Sequence, residues 1–256
     1  MNRLVLFAHW DAAALVKPYI LAHLQALRAL GGRIEFISNC PLPPAEVEKV
    51  RPLAAGVLLR ENVGYDFGMW QDALARADLS RVDELVLTNS SVVGPFFPLA
   101  PIVERMEATG WDFWGMTESW MFAHHLQSYF LVLKRPVVQS AALARFFGAV
   151  QPYRSKQQAI FSHELGLSTW LWENGFRGGA AFPPERQPRA WRADLLVRRI
   201  RPWRYQRGED PTLYYPDRLW RAGMPYLKLM LFRTQPDLAR RLGLARILEG
   251  RPDLAF

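Results

Sequence analysis

A single cysteine, Cys40, leaves no partner for an intramolecular disulfide in these 256 residues. A crosslinked secreted framework is excluded, and the expected setting is reducing and cytoplasmic. Cys40 sits beside "PLPP", which makes it a poor candidate for a nucleophile. The opening "MNRLVLFAHWD" has an apolar run broken by His9, Trp10 and Asp11, unlike a secretory leader. No apolar run reaches the roughly 18 residues of a membrane span, so any membrane association is expected to be peripheral. The five histidines show no HExxH spacing, and no His-based metal site is expected. The glycines form neither G-x-G-x-x-G nor a P-loop, and no serine sits in G-x-S-x-G. These absences argue against dehydrogenase, kinase and hydrolase chemistry.

Half of the chain is apolar, enough for a sizeable core in one domain or a domain with an appendage. The formal charge is +8, and it is unevenly distributed. Residues 1–181 carry 16 Lys plus Arg against 16 Asp plus Glu, whereas residues 182–256 carry 16 against 8. We therefore expect a neutral body, 1–181, and a basic module, 182–256, packing on or over its cleft. Nucleic acid, an anionic membrane surface and a phosphorylated substrate are the partners such a module could match. Solvated arginines would account for it equally well.

Hydrophobic patterning gives "RLVLFAHW", "RIEFISNC" and "GVLLREN" as strands, separated by helices over "ALVKPYILAHLQALRALGG" and "PPAEVEKVRPLA". This β-α-β-α-β order implies a mostly parallel sheet, because parallel neighbours need a crossover. A helix over "DALARADL", a strand "ELVLTNSSV" and a helix "LAPIVERMEATG" follow. "DFWGMTES" and "LQSYFLVLKR" then read as strands extending a mixed sheet at one edge. "PVVQSAALARFFGAV" and "HELGLSTWLWENGF" read as helices, and "RGGAAFPPERQPRAWR" as a loop or lid. The rest is rich in Arg, Trp and Pro and closes with a helix around "PDLARRLGLARIL".

Ligands of open parallel sheets gather beyond the carboxyl ends of the strands. "ENVGYDFGMW" follows the third strand and would bring Asn62, Gly64 and Asp66 there, the glycines permitting backbone that a Cβ would block. An Asx turn capping the next helix explains the same residues. Asn89, Ser90 and Ser91 follow the fourth strand, where they could equally cap a turn. Glu164 opens a helix, where a carboxylate is stabilised by the dipole and could accept a proton. Trp111, Trp114, Trp120, Trp170 and Trp172 are candidates to stack on sugar rings, although packing is the ordinary role of tryptophan.

Taken in order, "NVGYDFGMW", "LVLTNSSVVGPFFPL", "WDFWGMTES", "HLQSYFLVLKR", "HELGLSTWLWENGF" and "GMPYLKLMLFRTQP" resemble the rhamnan synthesis protein F family of polysaccharide-assembly proteins. The resemblance implies a GT-A-like, Rossmann-like α/β fold with helices flanking a mostly parallel central sheet, carrying an Arg/Trp/Pro-rich extension. It implies glycosyl transfer from a nucleotide-sugar donor to a glycan or polyprenyl-linked acceptor, with rhamnose the expected sugar and no nucleic-acid partner. Asn62, Gly64, Asp66, Asn89, Ser90 and Ser91 would line the donor, with Arg60, Lys228 and Arg233 neutralising its diphosphate. Trp114, Thr117 and Gln127 would face the acceptor, and Glu164 would be the general base of an inverting displacement. Where the family usually reads Asn-Asp-Ser, this chain has Asn89-Ser90-Ser91, so the acid that would hold a Mg²⁺ or Mn²⁺ ion is missing. An inactive, scaffold-like member is the alternative.

A positioned base contributes about 10² to 10⁴ in rate. Glu164→Gln is therefore expected to lower turnover at least about a hundredfold with donor binding intact; unchanged steady-state turnover removes Glu164 from the mechanism.

Overall fold

The computed structural model describes residues 1–256 except 122, 153–162, 164, 184–209, 235 and 242. The chain opens on β1 (Arg3–His9), in which every residue is buried. Its side chains alternate between two cores: Val5 and Phe7 belong to one, Leu4, Leu6 and Ala8 to the other. A strand apolar on both faces must sit inside a sheet covered on both sides. Accordingly β1 pairs in parallel with β2 (Gly32–Ser38) and with β4 (Glu84–Asn89). Beyond β2 lies β3 (Gly56–Leu59), also parallel.

Helix α1 (Pro18–Ala29) joins β1 to β2, with proline at its first position, where a missing N–H costs nothing. Its buried Tyr19, Ile20, His23, Leu24 and Leu27 recur at helical spacing and cover the Val5 and Phe7 face. The short α2 (Pro44–Val50) adds Val50 to the same core. Helix α3 (Tyr65–Leu74) covers the opposite face with Phe67, Met69 and Trp70. It starts inside the stretch expected to be a turn and ends within "DALARADL", because Gly64 turns the chain at φ 75° and allows helix from Tyr65 onward.

The parallel pattern then breaks. After β5 (Val92–Val93) and α4 (Ala100–Glu107), β6 (Phe113–Ser119) hairpins back through β7 (His125–Leu126) and β8 (Phe130–Lys134). Strand β8 inserts antiparallel between β4 and β6. Leu126 opposes Glu118 while Leu131 opposes Gly115, so residues 127–130 face only 116 and 117 and the hairpin is bulged. The expected helix after β8 is divided into α5 (Arg135–Val138) and α6 (Ala141–Gly148) at Ser140, whose hydroxyl caps the second piece by accepting from the Leu143 amide. Helix α7 (Leu165–Glu173) completes this face.

One expectation is corrected here. "RGGAAF" is a strand, β9 (Gly178–Phe182), parallel to β6. Glycines normally signal a loop, but a Cβ at Gly178 would lie 2.6 Å from Phe113, and one at Gly179 would lie 2.5 Å from Trp111. They mark close strand packing.

The C-terminal segment shares the main core. After α8 (Pro211–Tyr214) and α9 (Pro216–Arg221), β10 (Leu227–Lys228) pairs with β5. Met224, Tyr226 and Leu254 join the cluster containing α1, and the Tyr226 hydroxyl lies 2.8 Å from His23 Nε2. Helix α10 (Leu229–Thr234) follows, and the expected closing helix is divided into α11 (Pro236–Arg241) and α12 (Leu244–Glu249) by Gly243 at φ 64°.

Burial lowers His9 from 6.5 to about 4, against the pull of Asp11, and lowers His23 to about 3. The unfolded chain binds protons below about pH 6.5 that the folded chain refuses, so the stability present above that pH is lost as pH falls toward 4 and 3. The urea midpoint is expected to fall between pH 7 and pH 4.5, and His23→Gln should flatten that slope. An unaltered slope in the variant would exclude His23 as its source.

Candidate donor site at the carboxyl edge of the sheet

Strands β1, β2 and β4 end together, and their first loop residues are cross-tied. The Asn39 amide donates to the His9 carbonyl (3.1 Å), the Ser90 amide to Ala8 (3.0 Å) and the Arg60 amide to Ser38 (3.0 Å). Onto this edge fold the expected residues of the glycine-bearing stretch. Asn62 is exposed and accepts from Asn39 Nδ2 at 3.2 Å. Asn89 Nδ2 donates to Asp66 Oδ2 at 2.7 Å, joining the first turn of α3 to the end of β4. Asn89 Oδ1 accepts from the Ser91 amide (3.0 Å) and hydroxyl (2.6 Å).

The turn itself has a steric cause. A Cβ on Gly68 would lie 2.7 Å from the Val63 carbonyl, and one on Gly64 would lie 3.1 Å from Gly68 Cα. The two glycines let α3 start close against its own entry loop, with its positive end at the edge.

Ser90 is buried and used by the backbone: its hydroxyl accepts from the Trp10 amide (3.1 Å) and donates to the Trp10 carbonyl (3.2 Å). Ser91 is exposed, and its carbonyl accepts from Leu229. Among the described residues no group of three His, Cys, Asp or Glu side chains converges as a metal site. Asn89, Ser90 and Ser91 offer neutral oxygens already engaged with their neighbours, whereas Mg²⁺ is held by carboxylates and water. These residues do not fit a divalent ion.

The cations sit differently from expectation. Arg60 pairs with Asp72 at 2.5 Å and donates to Asn39 (2.9 Å) and to the Val63 carbonyl (2.8 Å), bracing the turn. Lys228 pairs with Asp210 at 3.2 Å. Arg233 is exposed on α10, and the buried Tyr19 hydroxyl donates to the Ser90 carbonyl at 2.9 Å.

Of the residues expected at the acceptor, Trp114 is fully buried against Phe130, and its indole N–H has no partner among the described residues. It is a core residue with no surface to offer a ligand. Thr117 and Gln127 belong to a buried polar chain: Thr117 Oγ1 donates to Gln127 Oε1 (2.7 Å), and Gln127 Nε2 donates to Asp210 Oδ1 (3.1 Å). Burial pushes the Asp210 carboxyl up, but Lys228, Thr212 and Gln127 together hold it below its ordinary value. Glu164 lies outside the described residues. A hollow of about 450 Å³ beside α2 and β3 is lined by none of the expected donor residues.

Asn39, Trp10 and Asp210 were missed. For the first two the signal was present, since each lies within the last two residues of a predicted strand; Asp210 sits far away in sequence.

A family model described as rhamnan synthesis protein F matches residues 34–248. The chain belongs to that family. Among curated relatives, an uncharacterized protein of Sinorhizobium fredii is 24% identical over 72% of this chain and 49% of its own length. A virulence protein, VirA, of Vibrio anguillarum is 30% identical over 45% of this chain and 38% of its own. The chain thus spans about half or less of the curated relatives it matches. The solved mannosyltransferase of Pyrobaculum calidifontis, bound to GDP-mannose and Mn²⁺, is 15% identical, covers 76% of this chain and 61% of its own, and has a TM-score of 0.43. The family match alone carries this family assignment.

Gly68→Ala forces its methyl into the Val63 carbonyl and is expected to destabilise the fold by about 1–3 kcal/mol. An unchanged denaturation midpoint would show that the turn yields freely.

Proposed function

We propose that this member transfers a deoxyhexose, with rhamnose the expected sugar, from a nucleotide diphosphate to a hydroxyl of a cell-surface polysaccharide or its lipid-linked precursor. The observation that carries the reading is the convergence of the Asn62–Asp66 turn and the Asn89–Ser91 trio on one sheet edge, joined by the 2.7 Å Asp66–Asn89 bond. Exposed Asn62 and Ser91 would meet the donor, while Asp66 and Asn89 fix one another's orientation.

As the glycosidic bond breaks, negative charge grows on the departing diphosphate. The amino end of α3 lies at this edge, and its dipole favours that charge without a metal. Arg233 would supply a cation from the C-terminal side. Arg60 and Lys228, both paired with carboxylates, act in this reading as braces. Glu164 would take the proton of the attacking hydroxyl, giving inversion in one displacement. The basic excess of the C-terminal segment suits a phosphate-linked lipid acceptor at the anionic inner membrane surface; no helix among the described residues is long and apolar enough to cross a membrane.

Ser90 supports a second reading. Its hydroxyl is consumed by Trp10 where the family usually has an acid, which suits a nucleotide- or glycan-binding scaffold without turnover.

A donor that binds only the folded chain at about a hundred times its Kd adds ~2.7 kcal/mol of stability. A thermal-shift panel of nucleotide sugars is expected to find one such donor, unaffected by Mg²⁺ or Mn²⁺, and Asp66→Ala should abolish its effect. No shift with any donor would overturn the reading; a shift without transfer or donor hydrolysis would favour the scaffold.

A further inference from the structure

The hairpin between β6 and β7 carries an aromatic stack that grows out of the core. Buried Phe113 packs on Trp172 (centroids 5.8 Å apart), whose indole N–H donates to the Gly178 carbonyl at 3.2 Å. Trp172 stacks on His124 (4.8 Å, 11°), and His124 stacks on Trp120 (4.2 Å, 16°). Trp120, the outermost ring, remains 37% exposed. His124 Nε2 donates to Glu118 Oε2 at 2.9 Å, which fixes the imidazole in the stack and sets a carboxylate beside the indole.

Closing a hairpin does not require a large aromatic ring held at the surface on a column of stacked rings. A pyranose ring is what this arrangement suits: its C–H face lies on an indole, and its hydroxyls need nearby oxygen and nitrogen partners. Sheet topology adds the position. Strand β8 runs antiparallel to β4, and β6 antiparallel to β8, so β6 runs parallel to β1 and β4. Its carboxyl end, from which Trp120 leaves, therefore opens on the same edge as Asn89, two strand spacings or about 10 Å to the side, with Trp120 further out along the strand direction.

We infer that Trp120, on the column of His124 and Trp172 and with Glu118 beside it, is a saccharide-binding platform that seats a sugar ring of the acceptor glycan. The word acceptor rests on the transferase reading above; the saccharide site does not.

The full chain is titrated calorimetrically with rhamnose-, mannose- and N-acetylglucosamine-terminated oligosaccharides, and with UDP and dTDP by thermal shift. The wild type is expected to bind at least one oligosaccharide. Trp120→Ala should weaken it about tenfold and Trp120→Phe much less, with nucleotide shifts unchanged in both. Should Trp120→Ala not fold, Glu118→Gln, which keeps the shape and removes the charge, is expected to weaken binding severalfold. Oligosaccharide binding that is absent from the wild type, or equal in wild type and a folded Trp120→Ala or Glu118→Gln variant, overturns the platform; so does a preference of Trp120 for cationic ligands over sugars. Oligosaccharide binding that depends on Trp120 without any nucleotide binding supports the platform and overturns the donor reading instead.

Discussion

Seven consecutive buried residues in β1 set the constraint from which the rest follows. A strand with apolar side chains on both faces and hydrogen-bonding groups on both edges can only be satisfied between two strands and between two layers of helices. With β2 and β4 parallel on either side, in the registers Ala8↔Ile37 and Ala8↔Asn89, three chain exits are forced to one edge of the sheet. The polar residues that follow each exit then meet because their strands do.

Strand β8 supplies the second organising step. By running against β4 it returns β6 to the original direction, so the hairpin bearing Trp120 and Glu118 opens on the edge that holds Asn62 and Asn89. The C-terminal segment closes the arrangement from outside: β10 pairs with β5 just past Ser91, Tyr226 reaches His23 in the core, and Asp210 links Gln127 to Lys228. Residues of a charge-rich tail thereby become part of the frame beside the carboxyl edge of the sheet.

Ion pairing redistributes the roles that charge alone suggests. Arg60 and Lys228 are basic and near the edge, but each has a carboxylate partner and is partly buried, so removing either partner would leave a charge poorly solvated. Ser90 is likewise near the edge and committed to the backbone of Trp10. Asn62 and Ser91 remain exposed at this edge, and Arg233 is exposed on α10.

The β-α-β-α-β order, the inward face of α1 and the gathering of Asn62, Asp66 and Asn89 at strand ends were legible in the chain, because period and chain order fix which side chains share a face and which loops share an edge. The strand at Gly178–Phe182 was not, since glycine reads as a loop wherever the aromatic that excludes a Cβ is distant in sequence. Nor were the core position of Trp114 and the surface position of Trp120, six residues apart on one hairpin, the carboxylate partners of Arg60 and Lys228, or the Trp120–His124–Trp172 column. The amino-acid sequence by itself determined which segments become strands and where their polar ends emerge. Only tertiary packing decided which charges are neutralised and which aromatic rings reach solvent, because burial and pairing depend on neighbours that the linear order keeps apart.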